Sequence, residues 1–250
     1  MKQIIKIEVN RILMEMKTYK LNTYLSIVDI LLLCIGIFLG TGSQIFESYP
    51  IVYSLIGMIV WRFSQVCLRN TASIIQKEAR VGTLEQIILT KKGLKPIILI
   101  RVLCQLFVEF INMSIVSLLL VIIFNIHFND INIIVILLSI LICIIGMIGM
   151  SYTTAGLTFV YKKMNAMTNA ISYFILFFTG LVIPLSILPE VVQYISYVFP
   201  FYWCINVIKN FSIINIVLLF IVSVCWVLMG NMVYEYCFRK MIKAGKSNAY

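Results

Sequence analysis

Six times between Leu21 and Tyr234 the sequence settles into a run of mostly apolar residues about as long as a bilayer core is thick. No other feature constrains the fold as tightly. A helix needs about 20 such residues to cross hydrocarbon, where every backbone N–H and C=O must be satisfied within the segment. The runs are Leu21–Gly40, Ile51–Leu68, Ile97–Phe124, Ile133–Val160, Ala166–Ile183 and Ile213–Tyr234. The third and fourth exceed that length and predict tilt or projection beyond the bilayer, while the fifth is short and stops at Pro184. With 62% hydrophobic and 12% charged residues, the chain carries too much apolar surface for one water-soluble core. The expected class is an all-α polytopic membrane protein, one transmembrane domain over residues 1–250 with six transmembrane helices.

The net charge of +10 lies in blocks between these runs. Lys2, Lys6, Arg11, Lys17 and Lys20 precede the first run. Arg69, Lys77, Arg80, Lys91, Lys92 and Lys95 fill the second connection, with Arg101 just inside the third run. Lys162 and Lys163 follow the fourth, and Arg239, Lys240, Lys243 and Lys246 lie in the tail from 236 to 250. Eighteen of the 20 basic residues thus fall on one side, with Lys209 opposite and Arg62 within a run. The excess of Lys and Arg predicts that this side, with both termini, is cytoplasmic in a cell membrane. Nucleic acid is not the expected partner, because no aromatic-and-basic module accompanies the charge; anionic lipid headgroups are. In residues 1–20, Ile5, Val9, Ile12 and Met16 recur at helical spacing among charges, as in a basic amphipathic helix lying on the inner membrane surface. A polar lead of this length, with five further runs after the first, is not expected to be a removable signal peptide.

Soluble-enzyme chemistry finds little purchase. His127 is the single histidine, and Cys34, Cys67, Cys104, Cys143, Cys204, Cys225 and Cys237 lie mostly in apolar runs without a Cys-x-x-Cys pair. Neither a metal site nor a catalytic residue is expected, and the cysteines read as small hydrophobes. Asp29, Arg62 and Glu109 fall inside runs one, two and three. Intramembrane ionisable groups face a bundle interior and find partners, so Arg62 pairs with Asp29 or Glu109, or else snorkels to the inner surface. Glycines at Gly146, Gly149 and Gly156, and the Gly36/Gly40 pair, offer places for close helix contact.

Between the second and third runs lies a polar stretch, residues 76–96. Gly82 is a poor helix former, Thr83 is a candidate N-cap, and Gln86 completes a Thr-x-x-Gln capping box. Leu84, Ile87 and Ile88 share a helical face, Lys91 and Lys92 suit a helix C-terminus, Gly93 can end the helix and Pro96 can begin the next. The spacing predicts a short helix of about two turns. Residues 184–212 hold Pro189 and Pro200, which break the stretch into two short helices. Tyr202 and Trp203 suit the headgroup level there, and Lys209 follows.

KEARVGTLEQIILT resembles the segment written E-K-E-x-G-T-L-E-Q-L-x-x-T in permeases of type-2 ATP-binding cassette (ABC) exporters, with Gly82, Thr83, Leu84, Glu85, Gln86 and Thr90 as the matching positions. The 184–212 stretch is similar to the outer-face helical hairpin before the last span of that family. The resemblance implies that Gly82–Thr90, with Ile87 and Ile88, forms a coupling helix contacting a separate ATPase. It also implies pairing with a second permease copy or a homologous permease. Gly245-Lys246-Ser247 imitates the end of a phosphate loop, but Lys240 stands where its first Gly belongs. ATP and Mg are therefore expected on the partner, with no cofactor bound by this chain. Lipophilic or amphipathic cargo (an antibiotic, peptide or lipid) is the expected export substrate, with a glycan-lipid as the alternative. An ion-coupled secondary transporter is the reading from another class, and it would favour inverted repeats that the sequence does not display.

Overall fold

The computed structural model describes residues 2–40, 51–90, 93–124, 132–180 and 185–243, and every regular element among them is helical. His127, Pro184, Lys91, Lys92 and the Gly245-Lys246-Ser247 tail lie outside the described residues. The chain opens with α1 (Lys2–Thr18) and α2 (Lys20–Gly40), whose arms meet at 85°. Neither proline nor glycine makes that corner. Thr23 Oγ1 instead donates to the Tyr19 carbonyl (3.2 Å), a local bond that competes with regular helix.

Next comes α3 (Ile51–Gln65), which runs through a π-turn at Val66–Asn70 straight into α4 (Thr71–Val81). Thr71 Oγ1 donates back to the Cys67 carbonyl (2.7 Å) across the turn. The extra residue of a π-turn re-aims everything after it. α4 then buries Ile74, Ile75 and Gln76 and ends at Gly82, whose φ of 78° a side chain would strain. A five-residue helix, α5 (Leu84–Ile88), precedes α6 (Leu94–Phe124). Pro96 falls in the first turn of α6, where its missing N–H costs nothing. Asn132 caps α7 (Ile133–Tyr161) by accepting from Ile134 N (3.0 Å), and α8 (Asn165–Phe178) follows. α9 (Glu190–Ser196) and α10 (Pro200–Lys209) are set at 94°, and α11 (Ile213–Lys243) completes the described chain.

The spine of the molecule is the α7–α11 pair. A Cβ at Gly149 would fall on the backbone of Trp226, one at Gly230 on the Gly149 carbonyl, and one at Gly156 would lie 2.9 Å from Tyr234 Cα. Small residues let backbones touch where lipid supplies no hydrophobic drive for association. Gly36, by contrast, would bring a Cβ near nothing within 4 Å among the described residues. Near the C-terminal end of this spine, Tyr152, Phe159, Tyr234 and Phe238 pack ring against ring.

α6, α7 and α11 are each long and apolar enough to cross a bilayer, and the number rises to five if each bent pair, α1–α2 and α9–α10, crosses as one. The chain is a multi-pass helical membrane protein. The six-run reading meets α6, α7 and α11 at its third, fourth and sixth runs. Its first run is an arm of a bent pair. The second and fifth fall on α3 and α8, helices of 15 and 14 residues. The second run ends inside the π-turn, through which the helix continues into α4.

Candidate functional site

α5 sits among charges that tie three elements together. Arg101, on the second turn of α6, reaches Glu8 of α1 through Nε (2.7 Å) and Glu78 of α4 through Nη1 (2.6 Å). Glu8 and Arg101 are 4% and 9% exposed, so the pair is nearly dry. Arg11 stands 3.4 Å from the other Glu8 oxygen. The second Glu78 oxygen accepts from Thr83 Oγ1. Burial alone would raise the Glu78 carboxyl. The hydrogen bonds from Thr83 and Arg101, with the charges of Arg101 and Arg11, outweigh it and hold the group below the ordinary carboxylate value.

Thr83 therefore does not serve as the expected capping box. It has helical dihedrals and makes no side-chain cap on α5, because Glu78, one turn back across the Gly82 corner, takes its hydroxyl. The helix is also shorter than two turns, ending at Ile88, with Thr90 Oγ1 donating to the Ile87 carbonyl (2.7 Å). Leu84 is 2% exposed, and Ile87 and Ile88 are half-buried against the core. Glu85 is half-buried and Gln86 exposed. The apolar face of α5 thus packs inward and is not the outer surface. The outward surface belongs to Gln86 with Val81 and Leu89, 68% and 84% exposed. Sequence reasoning missed those two apolar residues.

A second tether holds the far side of the segment. Lys95 Nζ hydrogen-bonds Asn231, lies 3.7 Å from Glu235, and sits 5.5 and 5.6 Å from the Tyr152 and Tyr234 ring centroids. One tether thus runs from Thr83, at the start of α5, through Glu78 to α6 and α1, and the other from the first turn of α6 to α7 and α11. Together they bring α1, the start of α6 and the last turns of α11 to one end of the bundle.

Deeper in the bundle, Arg62 Nε meets Glu109 Oε1 at 2.8 Å, and its Nη1 meets Gln65 at 2.9 Å. Asp29, exposed on α2, takes no part in this pair. Of the two carboxylates open to Arg62, the fold brings up Glu109. At the corner between α9 and α10, Pro189 precedes the first helix and Pro200 starts the second. Trp203 Nε1 donates to the Tyr197 carbonyl (2.9 Å), Tyr202 packs on Tyr197 (4.8 Å between centroids), and Trp226 of α11 donates to the Val198 carbonyl (2.8 Å). Lys209 Nζ lies 5.7 Å from the Tyr53 ring centroid. Sequence reasoning missed Glu8, Glu78 and Arg101 as site residues. The available signal was Glu8 itself, a carboxylate set in the apolar stripe of Ile5, Val9 and Ile12.

Helices built to cross a membrane several times, with a short tethered helix held among charges at one end, define a membrane-embedded transport domain. The chain belongs to the ABC-2 type transporter family, whose model matches residues 2–211. That membrane domain is a permease and not a catalytic domain. No curated protein matches the chain at significant similarity.

Proposed function

We propose that this chain is the permease subunit of an ABC exporter, driven by separate ATPase subunits and paired with a second permease copy or a homologous permease. The observation that carries the reading is the pair of tethers flanking α5, Glu78–Arg101–Glu8 before it and Lys95 after it. A partner pressing on Val81, Gln86 and Leu89 would push through Glu78–Arg101–Glu8 on α1 and α6, and through Lys95 on α7 and α11. ATP and Mg belong on the partner, and Gly82–Thr90 is the coupling segment. In this role Gly82 supplies the corner, Thr83 and Glu78 lock it, Leu84, Ile87 and Ile88 root the helix, and Glu85 flanks the contact.

Six crossings fit this arrangement: α2, α3, α6, α7, α8 and α11. α1 then lies on the inner surface and α9–α10 forms an outer-face hairpin that does not cross. The cargo is lipophilic or amphipathic, of the antibiotic, peptide or lipid kind, with a glycan-lipid as the alternative. It moves outward between the two permeases of a cell-membrane complex. The test is co-purification with a soluble ABC ATPase, followed by ATP hydrolysis and transport measured together in reconstituted vesicles. Purification without any ATPase, and transport driven by an ion gradient alone, would refute the reading.

A further inference from the structure

Where α1 leans on α6 the surface opens into two adjoining chambers. The first, about 440 Å³, is almost wholly apolar, walled by residues such as Val9, Leu13, Leu103 and Phe107. The second, about 550 Å³, is mainly polar, walled by Glu15, Tyr19, Thr23, Ser26, Asn70 and Lys77. Ile12, Met16, Val108 and Asn112 line both, so the chambers share a wall. A soluble metabolite would leave the first chamber unfilled, and a hydrocarbon would leave the second dry and unsatisfied. An amphiphile fills both. α1 stands at 85° to α2, the attitude of a helix lying along the membrane surface, so the pair opens at the depth where headgroup meets acyl chain.

The charges choose the headgroup. Lys77 Nζ lies 3.4 Å from Glu15 Oε1, one cation and one anion on the same wall. An anionic headgroup that engaged Lys77 would bring its phosphate against the Glu15 carboxylate. A zwitterion carrying a phosphate and a primary ammonium answers both, and its N–H groups can donate to Glu15. We propose that the paired chambers hold one ethanolamine phospholipid of the inner leaflet. An acyl chain lies along Val108 and Phe107, the phosphate lies by Lys77, and the ammonium lies by Glu15. The inference rests on the proposed placement of α1 along the inner membrane surface and does not depend on export or on an ATPase.

The experiment uses the full chain purified in detergent, offered dioleoyl phosphatidylethanolamine, phosphatidylglycerol or phosphatidylcholine in turn, with retained lipid counted by native mass spectrometry. The expected result is one phosphatidylethanolamine per chain, retained ahead of both others. Val108→Phe narrows the shared wall and should cut retention by roughly tenfold, the loss equivalent to about 1.4 kcal/mol. Glu15→Lys provides a second arm that does not touch the core, and it should move the preference to phosphatidylglycerol. Any other order of headgroups in the unaltered protein, or an unchanged order in Glu15→Lys, would overturn the assignment.

Discussion

A guanidinium shared by two carboxylates, as Arg101 is by Glu8 and Glu78, gains planar charge-assisted hydrogen bonds that a lysine would not reproduce. Such a group is held by its partners as much as it holds them. Arg62 and Glu109 show the same logic in pair form. Removing one member of a buried pair costs about 3–5 kcal/mol because the other charge is left alone, whereas removing both is far milder. Arg62→Leu should therefore lower the thermal midpoint of the purified chain strongly, and Arg62→Leu with Glu109→Leu should recover much of it. Additive losses in that cycle would mean the pair contributes no coupling. Glu78 makes a pH prediction. Its folded value is depressed, so its contribution is complete above the ordinary carboxylate value of about 4.3 and is lost as pH falls through the folded value. Thermal unfolding from pH 3 to 6 should show that loss in the parent chain, and Glu78→Gln should remove this part of the slope. Between pH 6 and 8 Glu78 should contribute no slope.

At the scale of elements, what the sequence made legible depended on whether the cause was local. Apolar length found α6, α7 and α11, and the prolines found the α9–α10 corner, because each is written in one stretch of chain. The π-turn at Val66–Asn70 carries no such mark in its sequence, and the Thr83–Glu78 bond uses a carboxylate that Arg101 of α6 also holds. The apolar face of α5 was read correctly, but its direction is set by tertiary packing of Leu84. That direction separates two substitutions of the same kind. Ile87→Asp buries a charge in a half-buried site and should reduce folded protein. Leu89→Asp changes only the exposed surface and should leave folding within about 0.5 kcal/mol, the range of surface substitutions. On the coupling reading, Leu89→Asp abolishes stimulated ATP hydrolysis at normal expression. Full hydrolysis and partner binding in that variant would remove the outer surface of α5 from the coupling contact. Gly149 and Gly230 give a matching case within the bundle. Leucine at either position forces α7 and α11 apart, and overpacking of this kind costs typically about 1–3 kcal/mol. Loss of folded protein on size-exclusion chromatography is the expected readout, and undiminished yield of Gly149→Leu would contradict the close contact.

For the molecule as a whole, the number of crossings has a parity that the tethers constrain. Arg101 joins the start of α6 to α1, and Lys95 joins it to Asn231 and Glu235 near the end of α11. Both described ends of the chain thus lie toward one end of the bundle, which an odd number of crossings would not give. Three or five crossings are odd, whereas four, with one bent pair crossing, or six is even. An even count follows if α2, α3 and α8 cross and α9–α10 does not, and that also gathers Lys163 and Glu85 on the side of the basic blocks. Impermeant maleimide labelling separates the counts. The background needs only Cys104→Ser and Cys225→Ser, because the other five cysteines are buried. On that background Ile195→Cys should label in intact cells, and Glu85→Cys and Lys163→Cys only after permeabilisation. α6 crosses out and α7 crosses back, which returns Lys163 to the side of the start of α6, and α8 separates it from Ile195 by one crossing out, so Lys163 and Ile195 bracket α8. Labelling of Lys163→Cys from outside would remove the six-crossing arrangement. Silence of Ile195→Cys in intact cells, with labelling after permeabilisation, would mean that α8 does not cross or that α9 lies on the inner side.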